Sequence, residues 1–249
     1  MIDDEAVPRC VLVLTPMPIE LRPIVRRLGL RRSHGGLHRG RFGGAEVTAA
    51  LVGVGPGCAA RVVSSLLEDA VPDRVVIGGI AGGVGPEVKV GDLVVPEVTT
   101  MWDAQEATGT DARRSYRAAP LGQAELRGHV LTSGRILDRS TLESLASDGV
   151  DAVDMETAAV AAGCAGAGVP WTAFRGISDH FTDKLVDQSI VALVGADGRP
   201  DLRAVAGFVV RRPGNAVRLA RLARGTAAAT SVMAEAVASA LLSDQKANS

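Results

Sequence analysis

The chain has 249 residues, enough for one large α/β domain or for two smaller ones. Its 27 Lys and Arg residues nearly balance 28 Asp and Glu residues, and the formal net charge of −1 gives no global field toward nucleic acid or an anionic membrane. Aromatic residues make up only 3% of the chain, too few for stacking single-stranded nucleic acid, so a small molecule is the expected partner.

The cysteines and the N-terminus indicate the cellular compartment. Cys10, Cys58 and Cys164 are scattered and lack a metal-ligand spacing, which predicts core thiols in a reducing environment and no structural metal. Residues 1–9 are acidic where a signal peptide would be basic, and the apolar run that follows is too short to span a bilayer. We therefore expect a cytoplasmic protein without an integral membrane segment.

The first part of the chain predicts alternating strands and helices. The apolar run 10–14 is typical of a buried strand, and a helix is predicted over 19–28 with Glu20 in its first turn. Glu20 is either a favourable helix N-terminal charge or a functional acid beyond a strand end. A hairpin over 33–44 and a strand over 45–54 follow, and a helix is predicted over 58–70.

Two local patterns in this part have weak functional interpretations. His34 and His38 enclose two glycines, which indicates an exposed turn rather than a metal site. The turn Gly53–Gly57 resembles a dinucleotide fingerprint only loosely, because Ala60 stands where the third glycine is expected. An NAD-dependent oxidoreductase would depend on that turn alone.

The middle of the chain contains a segment of small residues. A buried strand that starts at 75–77 runs into this segment, which includes Ile80, Ala81 and Gly82. Glycine permits close approach of a ligand, although close packing of two strands is an equal alternative. A short strand is predicted within 90–96, and the polar stretch Thr99–Leu121 predicts a flexible segment that covers the site. A strand over 129–132 and a loop with a short helix over 135–149 complete this part.

The stretch Val153–Asp183 places ionisable residues in apolar surroundings. Asp154 and Glu156 open a small, apolar run that reaches residue 169, and a short strand over 171–174 is followed by Arg175, Ser178 and Asp179. Ligands bind at the carboxyl ends of parallel strands, so a helix that carries Glu156 and a strand that ends near Asp179 direct two acids at one crevice. Helix-terminal charges are the alternative for each acid taken singly, but buried charges need partners.

The C-terminal part is helical and basic. We predict a turn over 195–201, a helix over 202–211, a second helix over 215–242 and a disordered tail over 243–249. Arg218, Arg221 and Arg224 share one helix face. That face is either simply solvated or a surface for a membrane or a large anionic substrate.

Strands and helices alternate along the chain, which predicts an α/β fold with a mostly parallel, mixed central β-sheet flanked by helices. We expect a single domain, with a core over 9–186 and a helical extension over 187–243.

Five ordered motifs resemble those of the purine nucleoside phosphorylase/uridine phosphorylase superfamily. They are Met17 with Glu20, Gly79–Gly83, Val90–Val95, Val153–Glu156 and Arg175–Asp179. Within it the chain is most similar to the 5′-methylthioadenosine/S-adenosylhomocysteine nucleosidases. The resemblance implies hydrolysis of the N-glycosidic bond of a 5′-substituted adenosine, with release of adenine, by a homodimer that needs no cofactor or metal.

The resemblance also implies roles for individual residues. Asp179 would be the general acid at N7 of the base, and Glu20 would activate the attacking water. Glu156 would hold the ribose hydroxyls, Met155 would pack against the sugar, and Ser178 and Arg175 would orient Asp179. The other expected substrate-binding residues are Ile80, Ala81 and Gly82 in the small-residue segment, Leu137 and Asp138 at the base edge, and Phe181 beside the acid.

Departures from the family pattern keep alternatives open. The phosphate loop and the arginine of the phosphorylases are absent near 15–20 and 77–80, which favours water as the nucleophile. Ile80 stands where the nucleosidases often have Ser, and the arginine-rich C-terminal part resembles that of the hopanoid-associated nucleosidase/phosphorylase branch. Phosphorolysis of an adenine nucleoside, including an adenosylhopane-type lipid, and nucleoside binding without catalysis are therefore the alternative functions.

Overall fold

The computed structural model describes residues 9–105, 110–193, 195 and 201–247. The turn predicted over 195–201 lies mostly outside these residues, and so does almost all of the acidic N-terminal segment. Among the described residues, eleven strands form one mixed sheet.

The elements of the first part of the chain follow the predicted alternation closely. Continuous apolar runs form the buried strands, and proline stands at the start of both helices, where a missing N–H costs no helical hydrogen bond. In chain order they are β1 (Cys10–Thr15), α1 (Pro18–Arg27), β2 (Arg31–Arg32), β3 (His38–Phe42), β4 (Ala45–Leu51), α2 (Pro56–Asp69) and β5 (Arg74–Gly83).

The remaining elements add the second half of the sheet and the C-terminal helices. They are β6 (Leu93–Val94), β7 (Val98–Gln105), β8 (Thr110–Arg117), β9 (His129–Ser133), α3 (Arg139–Ser147), β10 (Ala152–Asp154), α4 (Thr157–Ala167), β11 (Trp171–His180), α5 (Gln188–Val191), α6 (Leu202–Arg211) and α7 (Gly214–Ala247).

The sheet is organised around β5. The strand order is β2-β3-β4-β1-β5-β10-β9-β7-β8, and β11 pairs with β5 and β6. β5 is parallel to β1 and to β11, whereas its last two residues pair antiparallel with β10. The expected α/β fold with a mixed central sheet is confirmed, and the antiparallel pairs include the hairpins at both edges.

Helices cover both faces of the sheet. On one face α7 packs against β11, β5 and α1, with Ile24, Phe174 and Met233 in the shared core. On the other face α2 and α4 pack together over Val63, Ile77 and other apolar side chains. Of the helices that the structure describes, only α7 is long and apolar enough to cross a membrane, and 56% of its apolar window is buried inside the fold, as in a core helix.

The prediction of a flexible segment over Thr99–Leu121 is wrong where the structure describes these residues. Strands β7 and β8 form an antiparallel hairpin there, and β7 also pairs with β9. Two consecutive residues of β7, Thr99 and Thr100, are buried on opposite faces of the strand, so its buried positions are partly polar and local hydrophobicity does not mark the strand. Thr99, for example, is buried and its hydroxyl donates to the Val130 carbonyl at 3.0 Å.

Two predicted boundaries also differ. The prediction of a disordered tail over 243–249 is wrong up to residue 247. Helix α7 continues to Ala247, and Asp244 pairs with Arg9 at 2.5 Å. β11 does not end at Phe174 but continues to His180, because it stays paired with the glycine-rich end of β5. Asp179 therefore lies within a strand, just after a bulge between Ile177 and Asp179.

Candidate active site

A buried ion pair joins β11, β10 and α4. Arg175 is fully buried, and its Nη2 lies 2.8 Å from Oδ2 of Asp154. Its Nε donates to the Thr157 hydroxyl at 2.8 Å, and the Thr132 hydroxyl donates to the other oxygen of Asp154 at 2.6 Å. The predicted contact of Arg175 with Asp179 is therefore replaced by a pair with Asp154, which was not among the predicted site residues.

The glycine-rich end of β5 makes room for this pair. A Cβ atom on Gly79 would lie 1.9 Å from Nη1 of Arg175 and 2.9 Å from Oε1 of Glu20. Any side chain there would displace both groups. The small-residue segment is thus required for close packing of charged side chains, rather than only of two strands.

Glu20 reaches this region from the first turn of α1. Its side chain is 1% exposed, and its two carboxylate oxygens accept from the backbone N–H groups of Ile80 at 2.8 Å and Met17 at 2.7 Å. Burial raises the pKa of Glu20 to about 7, although the Arg175 guanidinium and both N–H donors act in the opposite direction. Ile80 thus contributes through its backbone N–H.

Glu156 precedes α4 rather than lying inside it, which differs from the predicted helical position. Its Oε1 accepts from the backbone N–H of Gly55 at 2.7 Å, in the turn before α2. Burial, followed by the nearby Asp154 carboxylate, raises the pKa of Glu156 to about 8, and Arg175 lowers it. The turn Gly53–Gly57, which loosely resembles a dinucleotide fingerprint, therefore donates a hydrogen bond to a carboxylate.

Asp179 has a different set of neighbours. The Ser178 hydroxyl lies 2.6 Å from Oδ1 of Asp179 and 3.4 Å from the Ala81 carbonyl oxygen. A Cβ on Gly82 would be 3.7 Å from the other oxygen, Oδ2. Burial raises the pKa of Asp179, and the Ser178 hydrogen bond partly offsets this rise. Of the two residues expected to orient Asp179, Ser178 is the one in contact.

A cavity of about 190 Å³ opens in front of Asp179. Five predicted site residues line it: Gly82, Leu137, Met155, Asp179 and Phe181. Further lining residues that sequence reasoning missed are Ser133, Arg135, Ile136, Val153, His180 and Lys184. Ser133 and Arg135 follow directly after β9, the kind of strand end that could have indicated them.

The remaining predicted residues lie around this cavity rather than in its lining. Glu156 is only 5% exposed, but the adjacent Met155 lines the cavity. Glu20 contacts Ile80, and Asp179 lies beside Gly82, so successive residues of β5 connect the two acids. Glu20 and Asp179 thus lie along one short segment of β5, and of these two acids Asp179 is the one that lines this cavity.

Asp138 contributes differently from Leu137. Its carboxylate accepts from the backbone N–H of Thr141 at 2.9 Å and caps α3. Hydrogen bonds, the largest from the Ser140 hydroxyl, lower the pKa of this exposed carboxyl to about 2. Its side chain does not line the cavity, and its role there is structural.

One wall of the cavity is attached to α7. Lys184, Leu185 and Val186 line this wall, and Nε of Arg218 donates to the Leu185 carbonyl at 2.8 Å. Nη2 of Arg218 also lies 2.8 Å from a carboxylate oxygen of Asp187. The C-terminal helix therefore holds the segment that closes the cavity.

No group of three or more His, Cys, Asp or Glu residues within the described parts of the chain could hold a metal ion. The chemistry available to these side chains is proton transfer and hydrogen bonding. The fold and the site together define an α/β protein with buried carboxylates beside a small-molecule cavity.

The family model of the phosphorylase superfamily matches residues 11–212, and the chain belongs to that superfamily. This confirms the expected family. Among sequence relatives, a 5′-methylthioadenosine/S-adenosylhomocysteine nucleosidase of Actinobacillus succinogenes is 32% identical over 162 residues, which cover 56% of this chain and 70% of the relative. The nucleosidase of the same description from Haemophilus influenzae is 28% identical over 165 residues, covering 57% and 72%.

Solved structures show the same fold at lower identity. The Neisseria meningitidis 5′-methylthioadenosine/S-adenosylhomocysteine nucleosidase in complex with methylthio-immucillin-A superposes with a TM-score of 0.69 at 20% identity, covering 94% of this chain and 99% of that one. Futalosine hydrolase of Helicobacter pylori superposes with a TM-score of 0.60 at 21% identity, covering 70% and 88%.

Proposed function

We propose that this chain is a cofactor-free N-glycosidase that hydrolyses a 5′-substituted adenosine and releases adenine. The observation that carries the proposal is Asp179, a carboxyl group with a raised pKa that lines a largely apolar cavity together with Leu137 and Phe181. The sequence relatives described as nucleosidases support the reaction class.

Asp179 acts as the general acid. Adenine is a poor leaving anion, so its departure needs a proton or a strong hydrogen bond at N7. Burial raises the pKa of Asp179 and so favours its protonated form over that of an exposed carboxyl. General acid catalysis of this kind typically contributes about 10²–10⁴-fold. The Ser178 hydroxyl, 2.6 Å away, can donate to the ionised carboxylate or accept from the protonated acid, and so keeps its orientation through the reaction.

Glu156 and Met155 hold the sugar. One oxygen of Glu156 is fixed by the Gly55 N–H at 2.7 Å, which leaves the other oxygen for the ribose hydroxyls. When ionised, this carboxylate stabilises the positive charge that develops on the ring as the bond breaks. Met155 lines the cavity beside it and supplies apolar contact to the sugar.

Glu20 activates the attacking water. A general base works best when its pKa is near the working pH, and burial raises the pKa of Glu20 to about 7. Both of its oxygens already accept backbone N–H groups, a pattern that favours the ionised form. A water beside the glycine segment would be within reach of a fixed carboxylate.

In the immediate surroundings of Glu20 and Glu156, the charges favour water over phosphate. Around Glu20 and Glu156, the guanidinium that lowers both pKa values is that of Arg175, and it is already paired with Asp154. A phosphate anion placed there would face carboxylates without a free cation from this pair. The phosphate loop and the arginine that are typical of the phosphorylases are also absent from the sequence near 15–20 and 77–80.

The proposal includes a cytoplasmic homodimer in which the extension over 187–243 folds together with the core. Packing of α7 on β11 and β5 supports a single unit. Of the three cysteines predicted to be core thiols, only Cys164 is buried, and burial raises its pKa to about 12. The prediction is wrong for Cys10, which is exposed at the start of β1, and Cys58 is half-buried. Light scattering of the purified chain tests the dimer directly.

The enzymatic test measures free adenine from methylthioadenosine, adenosylhomocysteine and 5′-deoxyadenosine, each with and without phosphate. We expect release without phosphate. Strict dependence on phosphate would instead establish a phosphorylase, and tight adenosine binding without any turnover would establish a binding protein.

The residue test is Asp179→Asn, which keeps the shape of the side chain but removes the acid. We expect kcat to fall about 10²–10⁴-fold with a small change in KM. Asp69→Asn, at the exposed end of α2, is the matched control and should retain full activity. Undiminished turnover in Asp179→Asn would overturn the assignment of the acid.

A further inference from the structure

Helix α6 has an apolar surface that the described residues of the chain do not cover. Eight of its ten residues are apolar or glycine, Arg203 and Arg211 are the others, and none of the ten is buried. A helix that is apolar around most of its circumference is normally enclosed by the fold. Leu202 is 77% exposed and Val210 is 81% exposed, so α6 lacks cover on one side.

The uncovered side lies away from α7. The Arg218 guanidinium stacks over the Phe208 ring at 6.0 Å, and the Asn215 side chain donates to the Phe208 carbonyl at 2.8 Å. These contacts occupy one face of α6. Leu202, Ala206 and Val210 recur every four residues and form an exposed stripe on another face.

Positive charge accompanies this stripe. Between Leu202 and Ala234 the chain has six arginines and no Asp, Glu or Lys. Arg203, Arg211 and Arg212 are exposed, and the first two belong to α6 itself. The overall charge of −1 conceals this segregation, because the excess of acids lies elsewhere in the chain.

The charge decides what can cover the stripe. In a two-fold symmetric dimer the same patch faces itself, so the arginines of two copies would meet with no acid from this segment between them. An anionic phospholipid surface accommodates both features of the stripe. Apolar side chains insert at the boundary between head groups and acyl chains, and arginines pair with the negatively charged head groups. The combination on α6 fits such a surface.

We propose that α6 and the first turns of α7 form a peripheral membrane-binding surface for anionic phospholipid. Leu202, Val210 and Val217, which is 59% exposed at the start of α7, enter the boundary between head groups and acyl chains. The exposed arginines pair with lipid phosphates. This attachment is independent of the proposed nucleosidase reaction.

The test is co-sedimentation of the full chain with vesicles of phosphatidylcholine alone or of phosphatidylcholine mixed with phosphatidylglycerol. We expect binding to the mixed vesicles only, and we expect it to weaken as salt rises, because salt screens exposed charges. Equal binding to both vesicles, or binding to neither, would overturn the proposal.

Two variants separate the contributions. The triple variant Arg203→Gln, Arg211→Gln, Arg212→Gln should reduce partitioning about a hundredfold, and Leu202→Ser with Val210→Ser should reduce it about tenfold. The matched charge control is Arg31→Gln, Arg32→Gln, Arg39→Gln on the exposed β2–β3 edge, and Val71→Ser is the apolar control. Both controls should bind like the unaltered chain.

Light scattering of the same variants tests the competing occupant. If the Leu202→Ser, Val210→Ser variant turns a dimer into a monomer while no protein binds vesicles, the stripe is a contact between copies and the membrane proposal fails. Circular dichroism and adenine release in solution should be unchanged in all variants. A failure of the nucleosidase assay leaves the vesicle result fully interpretable.

Discussion

The site contains two carboxylate environments that differ in their hydrogen-bond donors. Glu20 and Glu156 accept from backbone N–H groups, which can only donate. Asp179 is held by the Ser178 hydroxyl, which can donate or accept. Burial raises the pKa in both environments. The two environments therefore differ in the hydrogen-bond donor and not in burial, because only the Ser178 hydroxyl can also accept from a protonated carboxyl.

The largest expected effect comes from removing Arg175, the cation beside the two glutamates. Arg175→Met should lower the free energy of unfolding by about 3–5 kcal/mol, because it leaves the Asp154 carboxylate buried without its partner. Urea unfolding followed by circular dichroism measures the change. Arg139→Met removes an exposed pair with Glu143 and should cost about 0.5 kcal/mol or less. A similar cost for both variants would contradict the role of the buried pair.

The second expected effect is on the pH dependence of the rate. Because Glu20 must be ionised to act as a base, kcat should rise as pH increases through about 7. Glu20→Gln should lower kcat about 10²–10⁴-fold and abolish the rising limb. A variant that keeps this limb would show that another group is the base.

Stability should also depend on pH through the two glutamates. Their pKa values are raised to about 7 and about 8, so between about pH 4.5 and 8 the folded chain binds more protons than the unfolded chain. Their contribution to the free energy of unfolding therefore decreases as pH rises across this window. Urea titrations at several pH values should show a flatter dependence for Glu156→Gln. An unchanged slope would mean that Glu156 does not titrate in this range.

The smallest expected effect concerns the wall of the Asp179 cavity. Arg218→Ala removes the hydrogen bond to the Leu185 carbonyl and the pair with Asp187. Partly exposed pairs contribute little, so we expect KM to rise about two- to fivefold with kcat nearly unchanged. Steady-state kinetics of adenine release measure this. Arg211→Ala on α6 is the control. An equal rise of KM in both variants would show that the loss of the Arg218 contact with the cavity wall is not the cause.

Much of the fold followed from local pattern. The helix predicted over 202–211 agrees with α6, and strand β1 was predicted to within one residue, because apolar runs, proline and glycine act over short distances. The β7–β8 hairpin could not be predicted in the same way. Its buried threonines satisfy their hydroxyls across the sheet, and that pairing is not visible in local hydrophobicity.

The sequence by itself determined the family and the α/β class, because these depend on residue types in a recognisable order, and it predicted the acids of the proposed site. Only the tertiary structure decided which group each charge meets. Arg175 pairs with Asp154, Glu156 accepts from Gly55, and α7 holds the cavity wall through Arg218. These contacts join residues that the strand pairing and helix packing bring together, and electrostatic interactions depend on distance in space rather than along the chain.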